Sequence, residues 1–560
     1  MSESAPHISS EFTPFERLDT LSFECIPHQS KLFLDYVKDP LALKKFYPSA
    51  LKSHTEIPSR IPEVLANYKV DRDKLADALL AMNKSWAGSA KTLENVEKLR
   101  ANDAVAVVTG QQAGIFTGPL YTIYKAISTI KVTACLRGRG INAVPVFWIA
   151  TEDHDFAEVA GTFFHNRNRR LTEIKIAAES QTEGLPVGKI TLDNSISDAV
   201  EQLFAELPKT EFSGELQKVV QDAYQPGRTL GDAFARMMAR LFGEFGLVLF
   251  DPLDESLKQL AAPIYVQAVE NAAEITEALI KRSRELEAAG YHAQVLVEEN
   301  SFPLFWIDRE GKRHALKRTA DGKLHAKGAE RDFEIAELKE IARTQPSRLS
   351  PNVTLRNVVQ DYLLPTAVYF GGGAEIAYSA QNSEVYRILE RPVTPMLPRA
   401  SVTIIEPKVS RTLDKYNLSM SDFFCRPEGL FPKIVEEFLN SETPRVFAEV
   451  EEIINTQLNR LDRNLTQIEP TLAKSLARRR PKILYHLAAL RIKFYNAEIK
   501  KNETVKLQLE TACAAIFPHK GLQERTLNVT SLFVRHGDHL INWIWQAVDV
   551  DSSEHQIIYL

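Results

Sequence analysis

Residues 104–150 constrain the fold more than any other part of the chain. They open with Ala104-Val-Ala-Val-Val108, an apolar, β-branched run of the length expected for a buried parallel strand. The turn-like Thr109-Gly110-Gln111-Gln112-Ala113-Gly114 follows. From Pro119 to Arg137 apolar residues recur at helical spacing (Leu120, Ile123, Ile127, Ile130, Ala134), and Gly138 and Gly140 close that helix. A second apolar run, Ala143 to Ala150, ends in Thr151-Glu152-Asp153-His154-Asp155. Strand, helix and strand in this order predict a βαβ unit, right-handed in its crossover, inside a parallel sheet.

The rest of the chain extends this α/β pattern. Val64 to Met82 and Ser85 to Leu99 read as helices, residues 171–192 as a hairpin or two short strands, and Leu247 to Phe250 as a strand. Leu257 to Ala289 has the spacing of one long amphipathic helix, and residues 293–318 that of antiparallel strands around Glu310-Gly311. Thr366 to Phe370 is an apolar strand running into Gly371-Gly372-Gly373 and a helix from Ala374 to Leu389, and Val402 to Ile405 is a candidate to close the sheet. Beyond residue 430 the rhythm changes. Ile454, Leu458, Leu461, Leu465, Ile468 and Leu472 step by four and three, a heptad seam, and Ile483, Leu487, Leu490, Phe494 and Ala497 repeat it. Thr443-Pro444 suits the start of the first helix, and Pro470 or Pro481 the break between the two. The expected organisation is an α/β core with N-terminal helices and insertions over 1–430, an antiparallel coiled-coil arm over 431–515, and a segment over 516–560 that packs back on the core.

Composition excludes several classes. Acids exceed bases by 73 to 68 in 560 residues, a net charge of −5, and the one basic cluster, Arg478-Arg479-Arg480 with Lys482, lies in a helical stretch. Nucleic acid is therefore not an expected partner. No apolar run approaches the ~20 residues that span a bilayer, and Met1-Ser2-Glu3-Ser4 lacks the features of a signal peptide, so no membrane association and a cytoplasmic location are expected. Cys25, Cys135, Cys425 and Cys513 show no CxxC spacing and read as reduced thiols.

Chemistry is expected at the carboxyl ends of the parallel strands, where open α/β sheets bind ligands. Three stretches fall there. In the first, Thr109, Gly110, Gln111, Gln112, Gly114, Thr117 and Gly118 precede a helix whose N–H groups suit an anion; a tight structural turn is the alternative. In the second, Glu152, Asp153, His154 and Asp155 crowd ionisable groups at a buried strand end, which suits general-base work on an amine or hydroxyl. The alternative there is a helix cap. With one local His, a zinc site is disfavoured, and no metal ligands are assigned. In the third, Gly371, Gly372 and Gly373 suit a phosphate or carboxylate, or form a plain loop. Arg356, Arg387, Arg399, Lys408 and Arg411 are nearby cations.

Thr109-Gly-Gln-Gln-Ala-Gly-Ile-Phe-Thr-Gly-Pro-Leu-Tyr-Thr-Ile-Tyr-Lys-Ala126 and Pro145-Val-Phe-Trp-Ile-Ala-Thr-Glu-Asp-His-Asp155 closely resemble the cysteine-adding family of bacillithiol biosynthesis, BshC. So do Leu349-Ser-Pro-Asn-Val-Thr-Leu-Arg356, Gln360-Asp-Tyr-Leu-Leu-Pro365, Pro398-Arg-Ala-Ser401 and Gly521-Leu-Gln-Glu-Arg525, in order along nearly the whole chain. Gly372 and Asn357 depart from the pattern. The resemblance implies a Rossmann-like core similar to class I aminoacyl-tRNA synthetases, although this chain has no HIGH histidine pair and no KMSKS stretch. It also implies a coiled coil that forms a homodimer, and addition of cysteine to the amine of glucosaminyl-malate as the last step of bacillithiol synthesis. Activation of cysteine by ATP, Glu152 to Asp155 as catalytic groups with His154 as base, and Arg399 with the glycine-rich stretches as binding groups are what that chemistry would require. The alternatives are an amide ligase of the same architecture with another acceptor, and a non-catalytic coiled-coil scaffold.

Overall fold

The computed structural model describes residues 15–177 and 182–560. Met1 to Ser4, and residues 178–181 within the stretch read as a hairpin, lie outside the described residues. By packing, the chain divides into two units, one of residues 1–403 with 521–558 and the other of residues 404–520 with 559–560.

The first unit is built on a five-stranded, all-parallel sheet. Its strands in chain order are β1 (Val105–Gln111), β2 (Ala143–Ile149), β3 (Val248–Phe250), β4 (Thr366–Gly371) and β5 (Met396–Pro398), and in space they lie β5-β4-β1-β2-β3. Every residue of β2 and β4 is buried, so both faces of the sheet are covered and the strands read as unbroken apolar runs. The chain first builds outward from β1 through β2 to β3. It then returns to the other side of β1 with β4 and β5. The strand order therefore reverses between β1 and β4, which opens a crevice beyond their carboxyl ends.

Helix α1 (Tyr121–Arg137) follows β1 and completes the βαβ unit that the sequence predicts. It is buried on most sides: the Lys131 amine donates to the carbonyl of Trp545 at 2.8 Å, and the Leu120 N–H donates to that of Leu527, also at 2.8 Å. Helices α2 (Val353–Leu363) and α3 (Gly373–Ile388) flank β4 in sequence and bring their N-termini to the crevice.

Several expectations are corrected. The single helix over 257–289 is two, Glu255–Glu270 and Ala272–Ala288, parted at Asn271, whose φ of −100° and ψ of 10° leave the helical region. Residues 171–175 do form a strand, but it pairs antiparallel with Gly161–His165 upstream, and residues 187–189 form a 3-10 turn. Val402–Ile405 is a strand outside the parallel sheet, because β5 already occupies the edge beside β4. Cys135 and Cys513 are free, whereas Cys25 and Cys425 are disulfide-bonded, so the reading of four reduced thiols fails for two of them. Linear spacing reports local metal or redox motifs and leaves the oxidation state of an isolated cysteine unmarked.

In the second unit α4 (Glu442–Ile468) and α5 (Pro470–Lys501) form an antiparallel hairpin. Arg480 reaches Asn455 and Asn459, Arg491 reaches Glu451 at 2.8 Å, and the rings of Phe447 and Phe494 lie 5.8 Å apart. The break falls at Glu469, in extended backbone, with Pro470 opening α5; Pro481 lies inside that helix. The first helix starts at Glu442, with the Asn440 side chain accepting from the Thr443 N–H, so Pro444 sits in the first turn. Among the described residues no helix is long and apolar enough to cross a membrane.

Candidate functional site

A cavity of about 520 Å³ occupies the crevice at the strand-order reversal. The end of β1 supplies Gly110, Gln111 and Gln112 to its wall, and the segment after β2 supplies Glu152, Asp153 and Glu158. The turn after β4 adds Gly372, Gly373 and Glu375, and α2 adds Arg356 below its cap, Asn352. Lys125 and Tyr121 from α1, Arg313 from the hairpin strand Arg313–Arg318, Arg399 and Arg525 complete it.

Two of the glycines that line the cavity, Gly110 and Gly373, are required by space. A Cβ on Gly110 would stand 2.7 Å from the Trp148 carbonyl oxygen, across the β1–β2 register, and one on Gly373 would stand 3.1 Å from the Phe33 ring. At Gly372 the added atom would meet nothing closer than 3.6 Å, and the Arg399 Nε would lie at 3.8 Å, so the cradle is open where it faces that guanidinium.

One wall is cationic. Lys125, only 2% exposed, donates to the Gly110 carbonyl at 2.6 Å and to Gln111 Oε1 at 2.9 Å, and pairs with Glu375. Its three donors are thereby used, so Lys125 ties the end of β1 to the first turn of α3. Burial pushes its amine down to about 8, against the charge of Glu375. Burial would raise the Glu375 carboxyl, but Lys125, the Gly372 N–H and Arg356 outweigh it and hold the group charged. Glu375 also accepts from the Tyr369 hydroxyl at 2.7 Å and from the Gly372 N–H at 2.8 Å, capping α3. Arg356 donates to the Tyr378 hydroxyl at 2.9 Å, and among the described residues no carboxylate lies within ion-pair distance of it or of Arg313. Arg399 is held by a bidentate pair with the buried Glu524, at 2.7 and 2.9 Å, which also accepts from the Ser401 hydroxyl and the Val402 N–H.

The facing wall is acidic. Glu152 is buried against Lys258, which also donates to the Leu349 carbonyl at 2.8 Å. Asp153 accepts from Gln112 at 2.9 Å and from the backbone N–H groups of His154 and Asp155. Burial would raise Asp153, but those donors and the charge of Arg313 bring it below the ordinary carboxylate value. The second amide hydrogen of Gln112 goes to Glu158, at 2.7 Å.

Of the residues singled out in sequence, Gly110, Gln111, Gln112, Glu152, Asp153, Arg356, Gly372, Gly373 and Arg399 line the cavity; Thr109, Gly114, Thr117, Gly118, His154, Asp155, Gly371, Arg387, Lys408 and Arg411 do not. The Thr109 hydroxyl bonds the Phe370 carbonyl, tying β1 to β4. Gly114 to Gly118 form a strained turn, with φ of +53° at Phe116 and +77° at Thr117, held by Asn528, whose amide donates to the Phe116 and Gly118 carbonyls. Asp155 caps the short helix Phe156–Val159. The His154 Nδ1 lies 3.2 Å from an Arg313 N–H, and since a guanidinium only donates, Nδ1 accepts and the proton sits on Nε2. Burial and the charge of Arg313 lower the His154 pKa. The patterns missed Lys125, Glu158, Arg313 and Glu375. A Lys set between Tyr124 and Ala126 on the first crossover helix, and a Glu three residues after Gly372, were the available signals for two of them; Arg313 comes from a hairpin remote in sequence and left none.

A parallel sheet with a charged cavity at its switch point defines a Rossmann-like α/β protein, here carrying a helical hairpin. The family described as "Bacillithiol biosynthesis BshC, N-terminal Rossmann-like domain" matches residues 19–400, and its C-terminal coiled-coil domain matches residues 402–560. A relative from Salinibacter ruber is 37% identical over 94% of this chain and 96% of its own, and one from Koribacter versatilis is 34% identical over 96% and 99%. Both are named "Putative cysteine ligase BshC". The chain belongs to the BshC family of bacillithiol biosynthesis.

Proposed function

We propose that this chain is a cytoplasmic ligase that joins cysteine to the amine of glucosaminyl-malate, completing bacillithiol. The observation that carries the reading is the division of charge in the switch-point cavity, with Arg356, Arg399 and the N-terminus of α3 on one side and Asp153 and Glu158 on the other. Both substrates need that division, since each carries an amine together with carboxylates. Family membership and the names of the relatives support the same class of reaction.

A free carboxylate does not acylate an amine at useful rates, so the cysteine carboxylate must be activated, and ATP, when bound, would supply the activating group. The open cradle at Gly372, with Gly373, Arg356 and Arg399, fits the charge of its phosphates. Arg356 and Arg313, which have no carboxylate within ion-pair distance among the described residues, suit the malate carboxylates. The chain acts as a homodimer through its helical hairpin, where Ile453 (60% exposed), Leu490 (56%) and Leu461 (44%) leave apolar surface for a second copy.

The test is to measure bacillithiol and glucosaminyl-malate in source cells with and without the gene. Loss of the thiol with build-up of the precursor, both reversed by the restored chain, is expected. Unchanged levels of both would overturn the reading.

A further inference from the structure

Two carboxylates on the acidic wall share a single amide. The Gln112 Nε2 donates one hydrogen to Asp153 Oδ2 at 2.9 Å and the other to Glu158 Oε2 at 2.7 Å, so the two acceptor oxygens can be no farther apart than those distances combined. Both carboxylates line the cavity, at the carboxyl end of β2, whereas His154 does not and has its Nδ1 committed to Arg313. We infer that Glu158, coupled to Asp153 through Gln112, is the proton acceptor of the site: it takes the proton of the acceptor's ammonium group in place of His154. This rests on the ligase reading above. In the step an N–H bond breaks, its electron pair stays on nitrogen as the attacking lone pair, and an O–H bond forms on Glu158.

The two environments push the carboxyls apart. Asp153 gathers two backbone N–H groups and the charge of Arg313 and stays ionised, as described above. Partial desolvation of its carboxyl, opposed by the Gln112 bond and reinforced by the charges of Asp153 and Asp155, raises Glu158. Tyr121 on α1 also interacts with it; burial, then the charge of Glu158, raises that hydroxyl to about 12, so it stays neutral. Two like charges this close do not both ionise easily, so the pair accepts one proton readily and Glu158 is where it goes. Gln112 is a positioning residue, fixed in turn by the Gln111 amide, which donates to its Oε1 at 2.8 Å.

The test uses the purified full-length chain with cysteine, ATP and glucosaminyl-malate, the amide being measured by mass spectrometry across pH. Glu158 is exposed, so Glu158→Gln should fold, which circular dichroism checks. Expected are a roughly 100-fold fall in kcat with KM changed only a few-fold, and displacement of the acid limb to lower pH as Asp153 loses its like-charged neighbour. Gln112→Ala should move that limb without abolishing turnover, and His154→Ala should keep it. Wild-type kcat and pH profile in Glu158→Gln, or loss of the acid limb in His154→Ala instead, overturns the inference. Should the wild-type chain make no amide from this acceptor, the ligase reading fails separately. The dyad is then read by infrared titration. A protonated-carboxyl band persisting above the ordinary carboxylate range in the wild type and absent from Glu158→Gln supports it; identical spectra overturn it.

Discussion

Several residues that line the cavity serve mainly to hold its walls together. Lys125 spends its three donors on Gly110, Gln111 and Glu375, so its contribution is to lock two turns together. Removing one partner of a buried pair strands the other charge, at about 3–5 kcal/mol. Lys125→Met should lose stability on that scale in chemical denaturation, and Lys125→Met with Glu375→Gln should recover much of it. A loss no larger than that of an exposed lysine would contradict the assignment. His555, fully buried between the Ser401 and Thr403 hydroxyls, gives a pH prediction. Burial, against the charge of Glu524, lowers its pKa from 6.5 to about 4. Between those values the unfolded chain binds a proton that the folded chain refuses, so stability falls as pH drops from about 6.5 towards about 4 and levels off below. The effect is on the order of 3 kcal/mol, and His555→Gln should flatten the slope of unfolding free energy over that window. At this scale sequence reading was least complete. Asp153 and Gly372 were visible because they lie beside strand ends, whereas Arg313 enters from a separate hairpin and Glu158 looks like any exposed helix carboxylate.

Elements were more legible, because apolar periodicity reports how many faces a segment buries. The βαβ unit, the strand before Gly371 and the two heptad seams all follow from it. The failures were at boundaries. The break at Asn271 has no Gly or Pro to mark it, and Pro481 resembles a helix break yet sits inside α5. A proline in a helix interior removes a backbone hydrogen bond and costs about 3 kcal/mol, so Pro481→Ala should raise the thermal stability of the hairpin; an unchanged or lower melting temperature would mean that the ring is accommodated by a kink the arm requires. The end of β1 yields the opposite prediction. Gly110→Ala places a methyl against the Trp148 carbonyl, and since both groups are backbone-fixed in the β1–β2 ladder, a loss of about 1–3 kcal/mol is expected in denaturant melts.

For the whole molecule, the apolar positions left open on the hairpin set the expected assembly. Ile453→Glu with Leu490→Glu should convert a dimer to a monomer in sedimentation at micromolar concentration without loss of helicity. A wild-type chain that sediments as a monomer would remove the second copy from the functional reading. The sequence alone determined that this is an α/β protein with a parallel sheet and that a heptad-patterned hairpin follows it, since burial and periodicity are written locally, and it marked the polar strand ends as candidates for a ligand. Only the tertiary structure decided which polar groups share one cavity and which serve the scaffold. It gathers Lys125, Arg313, Arg356, Glu375 and Arg399 from separate elements, and it turns His154 to Arg313 and Thr109 to Phe370. The physical reason is that a side chain's role depends on what lies across from it, and the strand crossovers that set those neighbours leave no periodic mark in the chain.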